Sequence, residues 1–294
     1  MTNAFAFLRS RLRNLPSLHR RAPLWARLVE VAARVGYGAR GFVYLSVGVL
    51  TLLAAANLAG DAVGPTGAIA WLAQQPLGRV WLFLLGLGLL AFVQWRMLQA
   101  VFDADHEGRT WDGISTRASQ FFSGLGYAFL AFSAFSLLVH TPADPEATEI
   151  AASHENASRL LNLPAGNWLL TGVGLCILGV GIANIVRAWR EDFTAFLACS
   201  ENLCRRVAPL ARAGYMARGF AYLPLAILVV LAGWHAEPSD VTSFGAALET
   251  VERQPAGPWI LSIAALGFIA FGTFSFIEGR FRRIRPPREL KPLA

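Results

Sequence analysis

The chain has 294 residues, 55% of them hydrophobic and only 15% charged, with a mean hydropathy of +0.45. A soluble domain carries roughly 25% charged residues, so too little polar surface is present to coat a soluble globule of this size. The formal net charge of +7 would suggest nucleic acid in a soluble protein, but here the apolar residues are gathered into long runs, the mark of a membrane protein.

From the N-terminus, residues 1–32 are Arg-rich and lack the apolar core and small-residue cleavage site of a signal peptide. Leu24, Trp25, Leu28, Val29 and Ala32 recur at helical spacing, which predicts a basic amphipathic helix on the membrane surface. Six apolar runs follow, at 41–58, 80–101, 119–140, 167–186, 217–235 and 258–277. Each approaches the roughly 20 residues that cross a bilayer. The first and fifth are short, and an arginine before each can snorkel to the headgroups. Placing the N-terminus inside puts 23 of the 26 Lys and Arg residues on the inner side, leaving Arg79, Arg159 and Arg253 outside. This positive-inside asymmetry predicts a multi-pass protein of the bacterial inner membrane with both termini in the cytoplasm. Cys199 and Cys204 then fall in a loop on the reducing side, Cys176 falls in an apolar run, and no CxxC pair occurs.

An internal repeat organises the chain. ARVGYGARGFVYL at 33–45 and ARAGYMARGFAYL at 211–223 match at ten of thirteen positions. RASQFFSGLGYAFL at 117–130 is a weaker copy, with Ser123 for the second Arg and Gln120 for the first Tyr. Downstream, QQPLGRVW at 74–81, LNLPAGNW at 161–168 and RQPAGPW at 253–259 also recur. Each unit therefore reads as a hairpin: motif, span, outer amphipathic stretch, Pro-x-Gly turn, returning span. The expected fold is an all-α membrane protein with six transmembrane helices, as three hairpins in pseudo-threefold relation about an axis along the membrane normal. The segments are a basic cytoplasmic stretch at 1–32, repeats at 33–102, 117–190 and 211–279, linkers at 103–116 (acidic) and 191–210, and a basic tail at 280–294.

On these motifs, and on QPLGRVWLFLLGLGLLAF at 75–92, the chain resembles the bacterial membrane family known as domain of unknown function 1206. The unit of that family is a transmembrane helix pair occurring up to three times. The resemblance covers nearly everything from Ala33 to Arg283 and implies fold and location without implying an activity.

On a helical wheel, Arg34, Tyr37, Gly41, Tyr44 and Gly48 share one face, as do their counterparts in the other copies. Arg34, Arg40, Tyr44, Arg117, Tyr127, Arg212, Arg218 and Tyr222 are the candidate site for an anion or lipid headgroup, near three helix N-termini at the cytoplasmic surface. The competing reading, which the sequence favours, is structural: Arg as interfacial anchor, Tyr as aromatic belt, Gly for close packing.

His140 and His235 sit at equivalent repeat positions, matched by Asn57 in the first copy. They are weak candidates for haem or metal binding. Asp103, Asp105 and Glu107 resemble the start of an EF-hand loop, but Ile114 stands where the bidentate acid belongs. Gln94, Asn184 and Glu278 are the few polar groups assigned to spans; Glu278 is expected to pair with Arg280 or a motif Arg. Gly172, Gly174, Gly179 and Gly181 suggest tight packing of the fourth span. HExxH, GxSxG and P-loop motifs are absent.

The expectation is thus a non-enzymatic interaction, scaffold or accessory subunit with no cofactor. Its partners are anionic lipid headgroups on the cytoplasmic face and a membrane-protein partner or a second copy, but no nucleic acid. The alternative is a transporter or channel for a small anionic solute, and a haem- or metal-binding redox protein is the third option.

Overall fold

A computed structural model of the chain describes residues 24–58, 62–105, 107–139, 145–191, 193–194 and 196–284. The helices are α1 (Leu24–Ala55), α2 (Pro65–Ala73), α3 (Gly78–Phe102), α4 (Trp111–Val139), α5 (Pro145–Leu161), α6 (Gly166–Arg190), α7 (Glu201–His235), α8 (Phe244–Glu252) and α9 (Gly257–Phe281). Six of them, α1, α3, α4, α6, α7 and α9, are long and apolar enough to cross a membrane. The surface helix expected over 1–32 lies mostly outside the described residues. Its described part, 24–32, continues without a break into the first span.

Each repeat is a pair of spans joined through a short helix, α2, α5 or α8, at what we call the turn end. The joints share one geometry. In Pro-x-Gly the middle residue, Leu77, Ala165 or Ala256, adopts the left-handed region with φ of 60°, 60° and 65°. A Cβ on Gly78, Gly166 or Gly257 would run into the backbone carbonyl of Ala73, Leu160 or Glu252. The turn thus uses a strained residue followed by one that must lack a side chain.

The spans pack in the order α4, α3, α1, α9, α7, α6. Each motif helix lies against the returning span of another repeat: α1 on α9, α4 on α3, α7 on α6. Backbones touch there. A Cβ on Gly41 would sit 2.9 Å from the Gly272 carbonyl, and one on Gly219 would sit 2.8 Å from the Gly181 carbonyl. Small residues allow this approach where packing drives association.

Within a repeat, α1 packs on α3 and α7 on α9, but α4 and α6 make no close pairing among the described residues. Sequence explains the difference. Hairpins one and three close because Gly36 and Gly214 admit the backbones of Phe92 and Phe271, each Cα 2.6 Å from where a Cβ would be. Gly88 and Gly267 likewise admit Ala39 and Ala217. The equivalent middle-repeat residues are Ser119, Phe122 and Cys176, too large for that approach. The cyclic arrangement is therefore interrupted between α4 and α6. Of the glycines expected to pack the fourth span, Gly174 and Gly181 do so, while Gly172 and Gly179 face open space.

The loop after α6 folds back over the end opposite the turns. Ala198 donates its N–H to the Phe281 carbonyl at 2.7 Å, and Phe193 stacks on Tyr215 at 4.8 Å. Cys199 and Cys204 are joined there in a disulfide, whereas the orientation expected from the Lys and Arg asymmetry would put this loop in a reducing compartment. Mass-tag alkylation of denatured, acid-quenched cells checks that orientation. Three reactive thiols are expected if the loop is cytoplasmic; one, Cys176, means the opposite orientation.

Candidate functional site

The motif arginines divide by depth. Arg34 donates to the Gly279 and Arg280 carbonyls at the end of α9, at 2.9 and 2.6 Å, and pairs with Glu30. Arg117 donates to the Ala100 and Val101 carbonyls of α3, at 2.8 and 3.1 Å. Both therefore cap the C-terminal end of the neighbouring span, satisfying carbonyls that have no helical partner. Arg212 is exposed. Arg34→Ala or Arg117→Ala should each cost about 1 kcal/mol and leave ligand binding unchanged, as read from melting in detergent and native mass.

Arg40 and Arg218, expected at the interface, lie inside the bundle. Arg40 is 1% exposed. Its Nε donates to Ser275 Oγ at 3.0 Å, and its Nη2 pairs with Glu278 Oε2. Its guanidinium also lies about 5 Å from the rings of Tyr37, Phe92 and Phe271. Glu278 holds Arg282 with its other oxygen at 2.6 Å, and Arg282 bonds Asp105 at 2.9 Å. Gln99 donates to the same Asp105 at 2.6 Å and accepts from Arg96 at 3.1 Å. A chain of buried polar groups thus runs inward from one end of the bundle. Glu278 pairs with a motif arginine, Arg40, as expected, and with Arg282 rather than Arg280.

Arg218 carries the column deeper. It lies over Tyr44, Tyr222 and Phe271 at 5.1, 5.6 and 5.1 Å, and Phe271 is near the middle of α9. Its one hydrogen bond in the core is a long one, 3.4 Å to the Tyr222 hydroxyl. Tyr44, Tyr127 and Tyr222, the same position in three repeats, converge close enough to interact with one another and with this guanidinium. The packing around them recurs. Phe92 contacts Tyr37 of its own repeat and Tyr127 of the next; Phe271 contacts Tyr215 of its own and Tyr44 of the first.

Aligned on the motif and on the turn, several buried or half-buried polar residues of the spans share repeat positions: Arg40 with Ser123 and Arg218; Arg96 with Asn184 and Ser275; Gln99 with Arg187 and Glu278. The charge does not balance. Arg40 and Arg282 share Glu278, and Asp105 serves Arg282. Arg96, 7% exposed, and Arg218 have no carboxylate partner among the described residues, and the Nε of each, like that of Arg282, is buried without an acceptor. The Gln120 Oε1 is likewise buried without a partner. Arg96, Gln99 and Asp105 lie outside the sequence motif, and only the regular spacing of polar residues near the ends of the second spans signalled them.

The other candidates are not brought together. Asp103 accepts the N–H groups of Glu107 and Gly108 at 2.8 and 2.9 Å, and Asp105 turns into the bundle. Burial holds the Glu107 carboxyl above the usual carboxylate range, and Asp105, Glu191 and Asp103 add to this. The three therefore do not form an EF-hand-like cradle. No group of three His, Cys, Asp or Glu side chains placed to share a metal occurs among the described residues. His235 is exposed at the end of α7, and His140 lies outside the described residues.

The family model "Domain of Unknown Function (DUF1206)" matches three times, at residues 35–103, 118–191 and 213–282. These bounds coincide with the three hairpins. The uncharacterized protein YxxB of Bacillus subtilis is 31% identical over 255 residues, covering 85% of this chain and 90% of that one. No solved structure matches the chain significantly. With six apolar spans in three hairpins, each matched by the same model, the chain belongs to the DUF1206 family of membrane proteins.

Proposed function

We propose that this protein binds an anion inside its transmembrane bundle, without chemistry of its own, and handles that anion in transport or sequestration. The observation that carries the reading is the pair of arginines in the bundle, Arg96 and Arg218, each with a buried Nε and with no carboxylate partner among the described residues. Cations inside a membrane bundle are costly and are kept where they meet a substrate, a counter-ion or a moving charge. Tyrosine hydroxyls beside Arg218 add neutral donors suited to an oxyanion. The same residues weigh against a purely interfacial role for the motif, which supported the accessory-subunit reading. That second reading keeps one observation in its favour, the unpaired faces of α4 and α6. The Lys and Arg asymmetry supports a place in the bacterial inner membrane with the arginine-rich end in the cytoplasm.

Native mass measurement of protein extracted in mild detergent tests this. Wild type should carry an anionic adduct that Arg218→Gln and Arg96→Gln lose while remaining folded. Bare wild-type protein that also fails to bind added phosphate or a fatty-acid anion would remove the reading.

A further inference from the structure

The unclosed middle hairpin and Arg218 are neighbours, because Tyr127 of α4 lies beside that guanidinium. In hairpins one and three, the returning span covers the inner helix. In the middle repeat, α6 packs on α7 but stands away from α4, so no returning span closes over the seam between α4 and α7, where Tyr127, itself 2% exposed, approaches Arg218. Exposure follows this. Arg218, Tyr222 and Ser123 are half-buried, whereas their first-repeat equivalents Arg40 and Tyr44 are fully buried. The two faces that would have closed the hairpin are apolar and narrow. Gly172, Cys176 and Gly179 form a stripe on α6, and Phe122, Gly126 and Phe129 form one on α4. The built Cβ of Gly126, Gly172 or Gly179 meets nothing within 4 Å.

We infer that the ligand is an anionic amphiphile entering sideways from the membrane, its anionic head at Arg218 and Tyr127 and its acyl chain in the groove between α4 and α6. Charge complementarity selects the head: the groove leads to the Arg218 guanidinium, which no carboxylate among the described residues pairs with and whose Nε is buried without an acceptor. The surroundings select the tail, because the gap opens at the level of apolar spans and is lined by apolar residues. The inference rests on the anion-binding reading and adds the class of ligand and its route.

The test is thermal stabilisation of the full-length protein, stripped of lipid in neutral maltoside detergent, by dodecyl phosphate, dodecanoate or inorganic phosphate. The two amphiphiles should bind about ten-fold or more tightly than inorganic phosphate, since the apolar chain adds burial to the same head contact. Preference between them separates phospholipid-like from fatty-acid ligands. Arg218→Gln should abolish the response. Gly126→Phe with Gly179→Phe fills the open space without a backbone clash; it should leave the unliganded melting temperature within a few degrees and weaken amphiphile binding about ten-fold. Inorganic phosphate binding equally well through Arg218, unaffected by the filled groove, would overturn the amphiphile inference and leave the anion reading standing. No response to any of the three would overturn both.

Discussion

Glu278→Ala should be the most damaging single substitution in the core, costing about 3–5 kcal/mol because it strands buried cations. Glu278 is 3% exposed and holds both Arg40 and Arg282. Its loss leaves Arg40 with Ser275 and aromatic faces alone, and Arg282 with Asp105. The penalty arises from unpaired charge rather than from missing attraction, so it should be reversible by removing the charge. Arg40→Met combined with Glu278→Leu replaces the pair with apolar groups, and such swaps are often neutral or better. A double-mutant cycle in detergent, read by thermal or denaturant unfolding, should show the double variant well above the single Glu278 variant. Equal loss in both would mean that shape, not charge, dominates the position.

Gly257→Ala should cost about 3 kcal/mol or more, since the added methyl can be relieved only by moving backbone. It would meet the Glu252 carbonyl in a turn whose preceding residue, Ala256, already has a φ of 65°. The same change at Gly126, which faces open space, should cost well under 1 kcal/mol apart from any gain in helix propensity. Folded yield and melting temperature of the two variants make the comparison, and a similar response at both sites would contradict the turn geometry.

The spans, the three repeats and the Pro-x-Gly joints were legible in the sequence because each is local: a run of apolar residues, a recurring motif, a turn with fixed requirements. The placement of Arg40 and Arg218 was not. The apolar runs begin at Gly41 and Ala217, so arginines at or near the edge of a run read as interfacial anchors able to snorkel. In the structure the helices extend far beyond those edges, from Leu24 and Glu201, and packing of α1 on α3 and α9 and of α7 on α6 and α9 turns these side chains into the bundle. Arg96 falls inside the apolar run 80–101, and nothing local distinguishes it from the interfacial arginines. The interruption at the middle repeat was written in Ser119, Phe122 and Cys176, but these substitutions acquire meaning only once their partners across the other hairpins, Phe92, Gly88 and Ala39, are known. The column itself joins residues more than two hundred positions apart, such as Arg40 and Glu278, and no local pattern encodes such a pairing.

The central claim is that Arg96 and Arg218 burden the fold and are retained for a ligand. The most direct test is the melting temperature of the Arg96→Gln, Arg218→Gln double variant, compared with wild type after both are stripped of lipid. The account predicts that the unliganded variant melts at or above the unliganded wild type, because two uncompensated buried charges are gone, and that added anionic amphiphile stabilises wild type alone. A double variant that melts far below wild type, as the Glu278→Ala protein should, would show that the two arginines hold the bundle together and would contradict the account.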